Sequence, residues 1–178
     1  MKRKEVQINF IHKKIYMEVK VINSRICLEP KHLDSDIYNH LLEKIKNQMI
    51  NFCSKQHGFI LDVNKIIDVK ENKISAANSD IVFTVSYEVK TLKPKVGIIF
   101  EGDICLVFNK GVFINVDNKM KILVIPDSLT KSGYQFDASL NIYKNGVRNL
   151  SKGDVIRVMC TGVMYVKQKF NCYGELVE

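Results

Sequence analysis

The apolar positions of residues 15–92 first alternate, then recur every fourth residue, then alternate again. "IYMEVKVINSRICLEP", Ile15 to Pro30, mixes apolar and polar positions and is rich in β-branched residues, which predicts a strand ending by Pro30. Ile37, Leu41, Ile45 and Met49 then form one stripe, with Tyr38, Leu42 and Phe52 beside it. That stripe predicts an amphipathic helix packed on a sheet, with Asp34 or Ser35 at its N-cap. "GFILDVNKIIDV", Gly58 to Val69, reads as a strand, and Lys70–Lys73 reads as a turn. From Asp80 to Leu92 alternation is clear: Ile81, Phe83, Val85, Tyr87 and Val89 share one face, and Val82, Thr84, Ser86 and Glu88 the other. The order is β-α-β-β, a helix on a sheet.

Pro94 and Gly97 punctuate the chain next. Five β segments follow: Ile98–Phe108, Val112–Val116, Lys121–Ile125, Asp154–Val166 and Phe170–Val177. A long polar connection, Pro126–Gly153, separates the third from the fourth. That arrangement predicts a small OB-type barrel, whose second and third strands usually form the oligonucleotide-binding face. Asn109-Lys110-Gly111 is the turn between its first two strands, because glycine reaches positive φ without a Cβ clash. Phe113 then lies two residues into the second strand, equally suited to the barrel core or to its surface.

Composition narrows the function classes. The chain has 178 residues, 46% hydrophobic and 26% charged, as expected of a globular protein. No apolar run approaches the ~20 residues of a membrane helix, and no signal-peptide core is present, so a soluble intracellular protein is expected. Five cysteines without a C-x-x-C pair, and four histidines without ligand spacing, imply reduced thiols and no metal site. There is no phosphate loop, Ser/His/Asp signature or paired-carboxylate motif, so no catalysis and no cofactor are expected. Asp62, Asp68, Glu71 and Asp80 read as strand-end and turn residues facing water. The net charge of +8 suggests an anionic partner. Residues 1–14 carry +4 of it, leaving +2 for residues 15–96 and +2 for 97–178. Binding by the body of the chain should therefore be modest and salt-sensitive. Abundant Lys, Ile and Asn suggest an AT-rich genome, of a large DNA virus or an AT-rich eukaryote.

Several stretches, in order, resemble one family: "CLEPKHL", "HGFILDV", "VSYEVKTLKPKVG", "NKGVFINV", "IPDSLTKSGYQFDAS" and "KGDVIRVMCTGVMYVKQKFNCYGEL". Together they resemble subunit 7 of eukaryotic RNA polymerase II and its archaeal RNA polymerase counterpart, RpoE, over about residues 15–178. The resemblance implies an α+β and all-β chain. A basic extension (1–14) precedes a truncated RNP-like tip domain (15–96) that docks on the polymerase, and a five-stranded OB-fold barrel (97–178) contacts RNA. It implies a non-catalytic stalk subunit. Its partners would be the largest core subunits, a small clamp-base subunit and nascent RNA, with a second stalk subunit as a further candidate and no membrane contact. The location would be the nucleus of a eukaryote, or host cytoplasm and virion for a virus. RNA contact is expected at Phe108, Lys110, Phe113, Lys119, Lys121 and Tyr134. Docking or the domain join is expected at His57, Gly58, Lys70, Asn72, Pro94 and Gly97. The chain departs from the family at Lys70 and Asn72, where tip-loop glycines are usual. It also has Lys110 and Ile125 where related OB-folds carry an aromatic and a histidine, which leaves stacking mainly to Phe113. The alternative is a free-standing single-stranded RNA-binding OB-fold protein, which calls for stronger basic clustering on the barrel.

Overall fold

The computed structural model describes residues 17–75 and 79–177, so the basic extension, 1–14, lies outside the described residues. Residues 17–93 form one compact unit. It holds β1 (Met17–Leu28), a 3-10 turn (Pro30–His32), α1 (Ile37–Met49), β2 (Cys53–Ser54), β3 (Gly58–Ile74) and β4 (Ile81–Leu92). The strands make an antiparallel sheet in the order β1-β4-β3-β2. α1 covers one face. Leu41 and Ile45 are buried against Ile26, Leu28, Val85 and Tyr87, with Ile37, Leu42 and Met49 at the margin. Each aliphatic side chain so buried stabilises the fold by about 1.5–3 kcal/mol. Tyr38 and Phe52 lie outside the stripe, 63% and 42% exposed. The N-cap is Asp36, not Asp34 or Ser35. Asp34 acts just before the helix, accepting the Asp36 backbone N–H at 2.9 Å and His40 Nε2 at 3.3 Å, which holds its carboxyl below the usual range.

β3 corrects the sequence reading. No turn forms at Lys70–Lys73, because the strand runs through to Ile74 and pairs with β4 to the end. The reason lies in the register. β4 alternates with period two, but β3 carries a bulge in each of the intervals 60–62, 63–65, 66–68 and 69–71. Each bulge sets two residues of β3 against one of β4. The core-facing positions on β3 therefore recur every third residue. Val63 pairs Val89, Ile66 pairs Tyr87 and Val69 pairs Val85. Gly58 starts the strand at φ +85, where a Cβ would lie 2.4 Å from the Leu92 carbonyl oxygen.

The second described unit begins at Pro94. Its strands are β5 (Ile99–Phe108), β6 (Gly111–Val116), β7 (Met120–Val124), β11 (Val155–Val166) and β12 (Lys169–Val177). They close into a barrel in the order β11-β12-β7-β6-β5, with only β12 and β7 parallel. This is a five-stranded mixed barrel of OB type. Phe100, Ile104, Val112, Ile114, Ile122, Val124 and Val158 fill it, all fully or almost fully buried. The long connection has structure of its own: α2 (Pro126–Lys131) and a small sheet of β8 (Gln135–Asp137), β9 (Ile142–Lys144) and β10 (Asn149–Leu150). Asp137 joins β8 to β9 by accepting Lys144 Nζ at 2.6 Å, and the Lys144 ammonium and Ser139 hold its carboxyl far below the usual range.

Candidate nucleic-acid interface

The turn between β5 and β6 is closed by the pair Phe108–Gly111, leaving Asn109 and Lys110 at its tip. Gly111 is required twice over. Its φ is +121, and a Cβ there would lie 2.1 Å from the Val124 carbonyl oxygen of β7. The connection braces this turn from outside, since the buried Tyr143 hydroxyl donates to the Phe108 carbonyl at 3.1 Å.

Just before the turn, β5 carries a bulge between Ile104 and Leu106. Strict alternation from the buried Ile104 would send Leu106 and Phe108 inward. The extra residue, Cys105, reverses that. Val107 is buried, Leu106 is 50% exposed and Phe108 is half-buried. The Phe108 ring meets Phe113 at 5.7 Å, nearly parallel at 9°. Phe113 is thus an outer-wall residue, with the interior of β6 taken by Val112 and Ile114.

The pairing register extends this into a row. Leu106 lies opposite Phe113, Phe113 opposite Leu123, and Leu123 opposite Tyr173. Tyr173 is 37% exposed and Leu123 half-buried. The row below is polar. Asp103 pairs Asn115, and Asn115 pairs the exposed Lys121. Asn115 Nδ2 donates to Asn118 at 2.7 Å within the β6–β7 turn, where Asp117 and Asn118 take the positive φ values of a tight hairpin. Lys110 is exposed at one end of β6, and Lys119 and Lys121 lie at the other. Six strand residues, about 20 Å, separate them with Phe113 between.

Of the six residues expected to contact RNA, five surround this wall. Tyr134 does not. It is 5% exposed and lines a separate cavity of about 420 Å³ with Glu101, Arg148, Leu150 and Leu176, so no ring face is open to a base. Sequence reasoning missed Leu106, Leu123 and Tyr173. Alternation signals that Leu123 and Tyr173 face outward, with Met120, Ile122 and Val124 inward on β7, and Phe170, Cys172 and Gly174 inward on β12, whereas Leu106 faces out only through the bulge at Cys105.

Of the six docking or join residues, four belong to the unit of residues 17–93 and two to the second unit. His57 and Gly58 stand at the start of β3, and Lys70 and Asn72 well along it, within the strand and not in a loop. His57 Nδ1 is buried with no hydrogen-bond partner among the described residues, and burial together with Lys20 and Lys93 lowers its pKa. Pro94 is buried. Gly97 has φ +86 and donates its N–H to Cys160 O at 2.7 Å, with open space where a Cβ would stand. Among the described residues no cluster of His, Cys, Asp and Glu could hold a metal, and no helix is long and apolar enough to cross a membrane.

Residues 24–103 match the family described as "SHS2 domain found in N terminus of Rpb7p/Rpc25p/MJ0397". The chain is similar to an Acanthamoeba polyphaga mimivirus protein provisionally named a DNA-directed RNA polymerase subunit, at 28% identity over 88% of this chain and 77% of that one. It is also similar to DNA-directed RNA polymerase II subunit RPB7 of Glycine max, at 23% identity over 88% of this chain and 89% of that one. A solved structure, apo Mycoplasma genitalium RNase R, is similar over 46% of this chain and 13% of that one, with TM-score 0.38 and 16% identity, too slight a likeness to carry a functional statement. With an SHS2-type α+β stretch leading into a closed OB-type barrel, and relatives matched along most of its length, the chain is similar to RNA polymerase subunits of the Rpb7/RpoE family.

Proposed function

We propose that this protein is a non-catalytic stalk subunit of a multisubunit DNA-directed RNA polymerase. The unit of residues 17–93 docks on the polymerase core, and the barrel contacts emerging RNA. Support comes above all from the exposed row Leu106–Phe113–Leu123–Tyr173, flanked by lysines, in a chain similar to RNA polymerase subunits. An aromatic face outside a barrel is suited to stacking unpaired bases, each worth about 1–3 kcal/mol. Lys110, Lys119 and Lys121 supply phosphate contacts at both ends of β6. Affinity need not be high, because a subunit tethered beside the transcript meets it at a raised effective concentration. The partners are the largest core subunits and a small clamp-base subunit, with the residues at the start of and along β3 as the docking residues and Pro94 and Gly97 at the join.

Affinity purification of the tagged protein from its native cell or infected host, with RNase treatment, tests this. The large polymerase subunits should remain at near-equal amounts. Recovery only of RNA-dependent proteins, lost on RNase treatment, would favour a free-standing RNA binder instead.

A further inference from the structure

We propose that Tyr173 is a second stacking platform, so that the barrel wall holds two bases of single-stranded RNA pulled apart from each other, one on Phe113 and one on Tyr173. The inference rests on the reading of the barrel as an RNA contact. Phe113 and Tyr173 share one row, separated by Leu123 on the intervening strand. Two strand spacings put them roughly 9.6 Å apart. Stacked neighbouring bases are about 3.4 Å apart, so one stacked pair cannot reach both rings. The bound segment must be extended and unstacked, which is how single strands are commonly read on aromatic platforms. Leu123 fills the space between with an apolar surface that makes no hydrogen bond to a base edge, so the contact is tolerant of sequence.

A second observation concerns the strand beside Tyr173. Across the strand pair it faces Gly162, and a Cβ there would lie 3.5 Å from Tyr173 Cδ2. Because Gly162 has no side chain, β11 leaves that flank of the ring unshielded, and the residue is 37% exposed. An unshielded flank leaves room for a base against the ring.

The test uses the full chain and fluorescein-labelled oligouridylates of one to six nucleotides, by anisotropy at low salt. Wild-type affinity should climb steeply up to about three nucleotides and then flatten, as the two-spacing span requires. Tyr173→Ala should weaken binding of the longer oligomers about tenfold, as expected for one lost stack, while Tyr173→Phe binds like wild type. Crosslinking of wild type with 4-thiouridine oligomers should label the Lys169–Val177 strand as well as β6. If Phe113→Ala weakens binding but Tyr173→Ala does not, and no crosslink falls on Lys169–Val177, the second platform is wrong and the RNA reading stands. If wild type shows no binding that Phe113→Ala weakens, the RNA reading fails and the platform with it.

Discussion

The sheet of residues 17–93 and the barrel that follows each leave one wall uncovered by their own elements, and they fill it differently. On the sheet, the face away from α1 is crossed by rungs such as Val19–Lys90–Asp62, Val21–Glu88–Lys65 and Asn23–Ser86–Asp68. Lys90 stands opposite Asp62 and Glu88 opposite Lys65, and Asn64 Nδ2 adds a bond to Glu88 at 2.9 Å. Opposite charges on paired strands contribute about 0.2–1 kcal/mol each and keep a face soluble. On the barrel the corresponding rung is Leu106–Phe113–Leu123–Tyr173, apolar from one strand to the next. Single exposed apolar residues need no explanation, whereas this contiguous row with two aromatic rings is the surface proposed above to contact RNA. Bulges serve the two walls differently as well. Four on β3 keep a long strand in step with a short one, whereas the one at Cys105 turns Leu106 and Phe108 outward.

The largest expected effect breaks the barrel wall at its hinge. Gly111→Val forces a Cβ against the Val124 carbonyl at positive φ. It should destabilise the barrel by about 4 kcal/mol or more, read as a collapsed melting temperature. Gly97→Ala makes the control, because it meets no neighbour at similar φ and should cost only about 1–2 kcal/mol. Next, adjacent isoleucines test the period-three register of β3. Ile66→Asp puts a charge against the core and should cost about 3 kcal/mol. Ile67→Asp, at a position 49% exposed, should stay within about 0.5 kcal/mol. Equal costs in chemical denaturation would mean that the bulges are misplaced.

A smaller effect sharpens the contrast between the walls. Replacing Lys110, Lys119 and Lys121 together by alanine should lower the slope of log affinity against log salt by about 2, since each single-strand phosphate contact contributes about 0.7. An unchanged slope would remove these lysines from the interface. The smallest effect concerns the connection. Asp137 has its pKa lowered in the folded state by Lys144 and Ser139. Its contribution to stability is therefore present above the unfolded value of 3.8 and fades as pH falls below it. Asp137→Asn should flatten the acid side of the stability profile in a pH series of thermal melts. An unaltered acid limb would show that the Lys144 pair contributes nothing measurable.

Local patterns foretold the order of elements well. The α1 stripe, the alternation of β4 and the Asn109–Gly111 turn are set by side chains a few residues apart, where period and turn chemistry act directly. Readings that depend on pairing fared worse. Lys70–Lys73 is polar enough to look like a turn, yet it is held as strand by rungs to Thr84, Phe83 and Val82 that no local window contains. The period-three spacing of Ile60, Val63, Ile66 and Val69 was visible, but it makes sense only against the period-two partner. The candidate site divides the same way. Phe108, Lys110 and Phe113 are neighbours through one turn and were found together. Tyr173 joins them only because β12 runs parallel to β7, a nonlocal register that alternation cannot supply. Tyr134 differs because an aromatic in a polar connection looks exposed, whereas here it is buried and lines a cavity with Leu150 and Leu176.

The most direct measurement is a crosslink map on a transcribing complex. Elongation complexes of the polymerase that retains this protein would carry 4-thiouridine at single positions along the emerging transcript. Crosslinks to this chain should arise only from RNA already outside the polymerase core, and should map to Leu106–Phe113, to Lys121–Leu123 and to Tyr173. Crosslinks confined to the Asp62–Lys65–Lys90 face, or none from any transcript position, would contradict the assignment of the barrel wall as the RNA contact.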